Sequence, residues 1–196
     1  MKLLLARHGE TDYNRQRKFY GSADVSLDKH GRQQAQALAE KIAVMRPTLL
    51  VQTNLRRTQQ TIRPVCAKFP TIPIITLPSF AEKGFGKWEG LDADEIEAQY
   101  PEEWNKWLRA PLTYTPPTIE PFVNFEERVH QGLQWLLQHL AEEDTVFIVA
   151  HLGTLRLIYQ DLVDSSVNFY SLDFKAACFS LIELKDGKTR QVQFNQ

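Results

Sequence analysis

The sequence predicts an α/β fold: a mainly parallel, helix-covered central sheet with a helical and loop insertion over one sheet edge. Three features point there. Apolar runs of strand length alternate with longer amphipathic stretches, the signature of βαβ units. The clearest run, TVFIVA at residues 145–150, carries apolar residues on both faces, as a strand covered on both sides requires. Several runs also break directly into Arg, His or Thr, and in open α/β sheets that strand-end edge is where ligands bind.

Taken in order, residues 3–6 (LLLA) form the first strand, which breaks into Arg7-His8-Gly9-Glu10-Thr11 with Gly9 as the turn signal. Asp28 caps a helix over residues 29–45, in which Ala35, Leu38, Ala39 and Ile42 share one face and Pro47 marks the stop. Residues 49–51 (LLV) are the second strand. Asn54 then caps a helix reaching Lys68, with Ile62, Val65 and Cys66 inward and a bend at Pro64. Residues 72–77 make a short strand near an edge, because prolines at 70, 73 and 78 crowd it.

Residues 80–121 break the pattern. FAEKGFGKWEGL reads as an ordered loop that carries function. Residues 92–109 read as one or two helices broken at Pro101, with Ile96, Trp104, Trp107 and Leu108 as packing residues, and the proline-rich residues 111–121 as a connector. This insertion is expected to cover the functional edge of a single domain spanning residues 1–196. Asn124 and Glu127 form a capping-box start for a helix bearing Val129, Leu133, Leu136, Leu137 and Leu140. The strand at 145–150 runs straight into His151 and a helix to about Val163. Residues 179–184 and 189–194 close the chain as a hairpin about Asp186-Gly187.

Composition narrows the function. A net charge of −1 argues against broad attraction to nucleic acid or an anionic membrane surface. No run approaches membrane-spanning length, and the apolar start is too short for a signal-peptide core. Cys66 and Cys178 lack CxxC spacing and read as core fillers of a reduced, cytoplasmic protein.

Three strand ends, at Arg7-His8, at Thr53 through Arg57 and at His151, converge on one edge if the strands are parallel. Two Arg and two His there suit a dianionic phosphoryl group, since bidentate Arg contacts are charge-assisted and the helix start at His151 adds backbone N–H donors. One His can act as nucleophile and the other as donor to a phosphoryl oxygen, without a metal or other cofactor. The cationic work falls to Arg7, to one of Arg56 and Arg57, which cannot both face the site, and to a protonated His151. Glu82 is the candidate proton source, since glycines at 84, 86 and 90 let its loop wrap the site, and a bound phosphate raises a facing carboxyl by like charge. His30, His130 and His139 lack metal-ligand spacing, and no metal site is expected. Phe85, Trp88, Trp104, Trp107 and Phe122 are either insertion packing or a substrate wall.

These residues together resemble the histidine phosphatase superfamily, in its phosphoglycerate mutase-like branch, from Met1 almost to the end. The family's Arg-His-Gly-Glu-Thr opening stands at residues 7–11, with Asn14 after it and Gly21, Asp24, Leu27 and Gly31 following. Its second arginine motif matches Thr53, Leu55, Arg57, Thr58, Gln60 and Thr61, which selects Arg57 over Arg56. Glu-x-x-Phe-Gly-x-Trp-Glu-Gly is complete from Glu82 to Gly90, and His151, Gly153 and Arg156 match the second histidine motif. The resemblance implies a phosphoglycerate mutase-like fold and a phosphohistidine at His8. It implies further that Arg7, Arg57 and His151 hold the phosphoryl oxygens, with Glu82 as acid and then base. Asn14, Tyr20, Gly21 and Leu152 join Arg7 and Arg57 as implied substrate contacts.

Leu152 stands where the family has a small Gly, Thr53 replaces Ser, Ile119-Glu120-Pro121 replaces Gly-Glu-Ser ahead of Arg128, and Tyr20 replaces Gln or Thr. All flank the leaving group, so they bear on which alcohol is accepted. Short members of this kind resemble α-ribazole phosphate phosphatases and broad sugar-phosphate phosphatases, which makes a small phosphorylated metabolite the expected partner. A hydrolase is expected over a mutase, because residues 80–121 hold only Lys83, Lys87, Lys106 and Arg109 as basic residues and the chain stops soon after its last strand. A binding module that captures phosphorylated ligands without turnover is the alternative Leu152 suggests. Retention of His8, Glu82 and His151 speaks against it.

Overall fold

A computed structural model describes residues 1–176 and 178–196. Strands β1 (Lys2–Arg7), β2 (Leu49–Gln52), β3 (Ile74–Thr76), β4 (Thr145–Ala150), β5 (Phe179–Lys185) and β6 (Lys188–Gln193) form one sheet in the order β3-β2-β4-β1-β5-β6. The first four are mutually parallel, and β5 and β6 close the sheet as an antiparallel hairpin. The helices are α1 (Asp12–Arg15), α2 (Lys29–Met45), α3 (Arg56–Lys68), α4 (Ala93–Gln99), α5 (Pro101–Arg109), α6 (Phe122–Gln138) and α7 (Leu152–Leu162). The chain is thus the α/β protein its alternation predicts. No helix among the described residues is long and apolar enough to cross a membrane.

The period of two along β1 divides its side chains between two cores. Leu3 and Leu5 pack with Val129, Leu133 and Leu136 of α6 and Leu155 and Ile158 of α7. Leu4 and Ala6 pack with Leu38, Ala39 and Ile42 of α2 and Ile62 and Val65 of α3. Each such buried Leu, Ile or Val contributes about 1.5–3 kcal/mol, enough in sum to hold a polar site at the sheet's rim. A separate cluster of Trp88, Ile96, Trp104 and Ile119 unites residues 80–121 with Phe19, Phe85 and Trp107 packed against it.

Some local expectations fail for physical reasons. β3 is short and lies at the sheet's edge as expected, but its prolines narrow it from residues 72–77 to three residues. Asn54 does not cap α3; Leu55 takes the N-cap position, and the Arg56 N–H is satisfied by Asp24 Oδ1 at 2.7 Å. Asn124 does not cap α6, which begins earlier behind Pro121, where Phe122 packs edge-on against Phe169 at 5.1 Å. Leu108 faces solvent, 53% exposed, while its neighbours Trp104 and Trp107 stack at 5.3 Å. Cys66 and Cys178 are free but only half-buried.

The strand order places the site. β2, β4 and β1 are neighbours and run the same way, with Arg7 level with Ala150. Their C-terminal ends therefore release Thr53, His151 and His8 side by side. The His8 N–H extends the ladder to the Ala150 carbonyl at 3.1 Å.

Candidate active site

His8 and His151 are buried, with ring centroids 5.3 Å apart. His8 Nδ1 lies 2.8 Å from the Gly9 carbonyl oxygen. A carbonyl only accepts, so Nδ1 carries the proton and the Nε2 lone pair is left without a partner among the described residues. Burial, then the charges of Arg57 and Arg7, holds the His8 pKa well below 6.5. The ring is neutral and nucleophilic.

His151 departs from the sequence expectation of a protonated ring. Its Nδ1 accepts from Arg57 Nε at 3.2 Å, and its Nε2 lies 3.1 Å from Thr53 Oγ1. Nδ1 is therefore the acceptor and Nε2 carries the proton. Burial first, then Arg57, His8 and Arg7, lowers its pKa well below 6.5. In the free site it is a neutral donor.

Arg57 is fully buried, whereas Arg56 is an exposed ion-pair partner of Asp24. Arg57 donates to the carbonyls of Ala23 at 2.8 Å and Gly21 at 2.7 Å besides His151. Its five N–H donors exceed these three partners, which leaves two for a ligand. Tyr20 lies over its guanidinium at 4.8 Å and accepts from Thr11 Oγ1 at 3.1 Å. Arg7 Nε is buried without a hydrogen-bond partner among the described residues.

Glu82 is fixed from two sides. Its Oε2 accepts the Gly153 N–H at 3.0 Å and its Oε1 the Lys83 N–H at 2.9 Å. A Cβ on Gly153 would stand 2.4 Å from Oε1, so the acid's seat depends on that glycine. Arg128 holds the backbone beneath: it donates to the carbonyls of Ser79, Ala81 and Glu82 and pairs with both oxygens of Glu120. Glu120 in turn accepts the Gly84 N–H at 2.9 Å. Glu89 accepts from the backbone of Ser22, Ala23 and Phe85, tying the acid loop to the loop that receives Arg57. Glu89 and Glu120 are thus engaged as loop anchors.

These residues enclose a cavity of about 250 Å³ lined by Arg7, His8, Asn14, Tyr20, Arg57, Glu82 and Leu152, with Arg17, Lys18, Phe19 and Phe85 at its rim. Of the positions singled out in the sequence, His151 and Gly21 are not in the wall; His151 sits behind it, bonded to Arg57 and Thr53. Gly21 acts through its carbonyl on Arg57, and a Cβ there would lie 1.7 Å from the Lys83 carbonyl oxygen. Asn14 reaches the cavity while its Oδ1 completes the capping box of α1 with Thr11. Arg17, Lys18, Phe19 and Lys83 escaped sequence reasoning; the basic-aromatic run RQRKFY before Gly21 was the available signal.

A second cavity of about 290 Å³ adjoins the first at Phe19, Glu82, Phe85 and Leu152, and its walls include Trp107, Phe122, Phe125, Phe169 and Tyr170. Trp88 and Trp104 are buried insertion packing, whereas Phe85, Trp107 and Phe122 are cavity wall. His130 pairs with Asp161, and His139 accompanies Trp135, both away from the site. No group of three or more His, Cys, Asp or Glu is gathered for a metal among the described residues.

The chain is 27% identical over 193 residues to a Bacillus subtilis protein named uncharacterized phosphatase PhoE, covering 98% of this chain and 93% of that one. It is 29% identical over 166 residues to a 2,3-bisphosphoglycerate-dependent phosphoglycerate mutase 2 of Gloeobacter violaceus, covering 82% and 74%. The crystal structure of the alpha-ribazole phosphatase from Shigella flexneri superposes with a TM-score of 0.90 at 27% identity, covering 100% of this chain and 96% of that one. The sequence profile of the histidine phosphatase superfamily (branch 1) matches residues 3–196. The chain belongs to the histidine phosphatase superfamily.

Proposed function

We propose that the protein hydrolyses a small phosphomonoester through a phosphohistidine at His8, with no metal or cofactor. The observation that carries this reading is the His8 tautomer: Nδ1–H is tied to the Gly9 carbonyl, and Nε2 is left free beside Arg7, Arg57 and His151. A dianionic phosphoryl group in this cavity meets two guanidinium groups, and it engages the Nε2–H of His151 once that proton turns from Thr53 Oγ1 to the phosphoryl oxygen. His8 Nε2 forms the P–N bond as the ester P–O bond breaks, and Glu82 passes a proton to the departing alkoxide. The Gly9 carbonyl stabilises the positive charge that the ring acquires. Water then attacks phosphorus, Glu82 takes its proton, the P–N bond breaks, and His8 returns to its neutral form. The second cavity holds the alcohol portion.

Free cysteines and a net charge of −1 support action on a diffusible metabolite in the reducing cytoplasm. The test is release of inorganic phosphate from p-nitrophenyl phosphate and from a panel of phosphorylated metabolites, alongside trapping of acid-labile phosphate on the protein. His8→Ala should abolish both. Turnover undiminished in His8→Ala, or an EDTA-sensitive activity restored by Mg²⁺ or Zn²⁺, would overturn the mechanism. Interconversion of phosphoglycerates without phosphate release would mark a phosphotransferase instead.

A further inference from the structure

Lys83 takes no part in the mechanism above, yet it is the least accessible lysine of the functional loop, at 8% exposure, and it lines the second cavity. Its Nζ stands 4.7 Å from the centroid of the Phe85 ring and has no hydrogen-bond or ion-pair partner among the described residues. Neither neighbouring carboxylate receives it, each being turned toward other donors. Glu120 is engaged by Arg128 and the Gly84 N–H, and Glu82 by the N–H groups of Lys83 and Gly153. The ammonium has no acceptor on the protein, and its surroundings withdraw the side chain from water without closing it off, so a ligand acceptor entering the cavity finds the cation uncommitted. Burial lowers its pKa to about 8 against the upward pull of Glu120 and Glu82, so the cation still prevails at neutral pH.

Arg156 adds a second positive charge to the same cavity. It is braced by the carbonyls of Leu172 at 2.8 Å and Tyr170 at 3.4 Å and lies over the Phe169 ring at 5.2 Å. The remaining wall is largely aromatic, with Phe85, Trp107, Phe122 and Phe169 offering faces and edges to a flat guest.

We propose that the second cavity selects a leaving alcohol with a flat apolar body bearing a carboxylate, and that Lys83, seconded by Arg156, reads that carboxylate. The assignment rests on the phosphomonoesterase reading, because the two cavities meet at Glu82, where the ester oxygen would leave.

Non-hydrolysable phosphonates separate selection from turnover. Benzylphosphonate and 4-carboxybenzylphosphonate are titrated calorimetrically into the wild-type protein and into Lys83→Met and Lys83→Arg. The carboxylate is expected to tighten binding to the wild type about tenfold to a hundredfold, the worth of one charge-assisted hydrogen bond. That ratio should collapse toward unity in Lys83→Met and largely return in Lys83→Arg, a contrast that a mere packing role for Lys83 would not produce. A wild-type ratio within twofold of unity, or one unchanged in Lys83→Met, would overturn the proposal. A protein with the expected ratio that releases no phosphate from phenyl phosphate would sink the hydrolase reading alone. Equal binding of the two phosphonates by an active phosphatase would sink only the role of Lys83.

Discussion

The Gly153 N–H and Glu82 Oε2 meet at 3.0 Å across 71 residues of chain, joining the first turn of α7 to the acid loop. The helix that begins behind His151 thereby aims the Glu82 carboxyl as well. Gly153→Ala would push a methyl group to within 2.4 Å of Oε1 and 3.2 Å of Phe125, so the carboxyl must move. Displacement of a catalytic group by about 1 Å costs on the order of a hundredfold. We expect Gly153→Ala to slow phosphorylation of His8 by alkyl phosphates on that scale, with a smaller loss on p-nitrophenyl phosphate. Rapid quench on both substrates checks this; equal losses would mean that the methyl group acts elsewhere.

Glu82→Gln removes the proton while keeping the shape. Nitrophenolate leaves without protonation, whereas sugar alkoxides do not, and general acid assistance is worth roughly a hundredfold to ten-thousandfold. The poor leaving groups should suffer that loss in the phosphorylation step. With p-nitrophenyl phosphate, a burst should appear as phosphohistidine accumulates, because water activation is then limiting. Absence of a burst together with equal losses on both substrates would strip Glu82 of both roles.

Both site histidines should remain neutral as pH falls through 6.5, the ordinary value below which burial and the flanking arginines hold them. In the unfolded chain they protonate near that pH. Each therefore contributes stability that is complete above 6.5 and declines as pH falls below it, by up to about 1.4 kcal/mol per pH unit until the folded group itself protonates. Ring-carbon chemical shifts of labelled histidine give the check. Midpoints of 6.5 or higher for His8 and His151 would refute the neutral-site picture.

Burial pushes Glu120 upward, but Arg128 and the Gly84 N–H outweigh it and hold its pKa below 4.5. Its contribution to stability is therefore present above 4.5 and lost as pH falls through the lower folded value. Glu120→Gln should cost about 1–3 kcal/mol at pH 7, given that both partners are partly solvated, and should shrink that cost at pH 3. Urea denaturation at the two pH values measures it. Displaced carbonyls of residues 79–82 should lower kcat as well, since Arg128 supports the Glu82 backbone.

The sheet and the edge that gathers the two histidines were legible because buried strands announce themselves as unbroken apolar runs, and His8 and His151 follow two of them directly. Arg57 over Arg56 came from motif resemblance; helical spacing alone left the choice open. Lys83 was counted only as one basic residue of the insertion, because its burial arises from Phe85 and the loop's approach to α6, which no local pattern encodes. The two Asn caps failed for a related reason. Asp24, distant in sequence, meets the Arg56 N–H, and aromatic packing at Phe122 extends α6 past the residue that local chemistry favours.

The two cavities differ in what their walls are made of, and this bears on how such a protein can diversify. His8, Arg57 and His151 are buried where β1, β2 and β4 end, so replacing any of them disturbs the edge that carries the chemistry. Trp107 and Tyr170 project from α5 and a turn outside the buried core of the sheet, and Phe122 stands at the first residue of α6, only partly buried against that core. Inheritable changes there can exchange one alcohol for another while the phosphoryl-transfer apparatus stays untouched. On the proposed phosphatase reading, selection among metabolites and retention of the reaction are therefore under nearly separate genetic control, a partition under which one ancestral scaffold can give rise to many phosphatases.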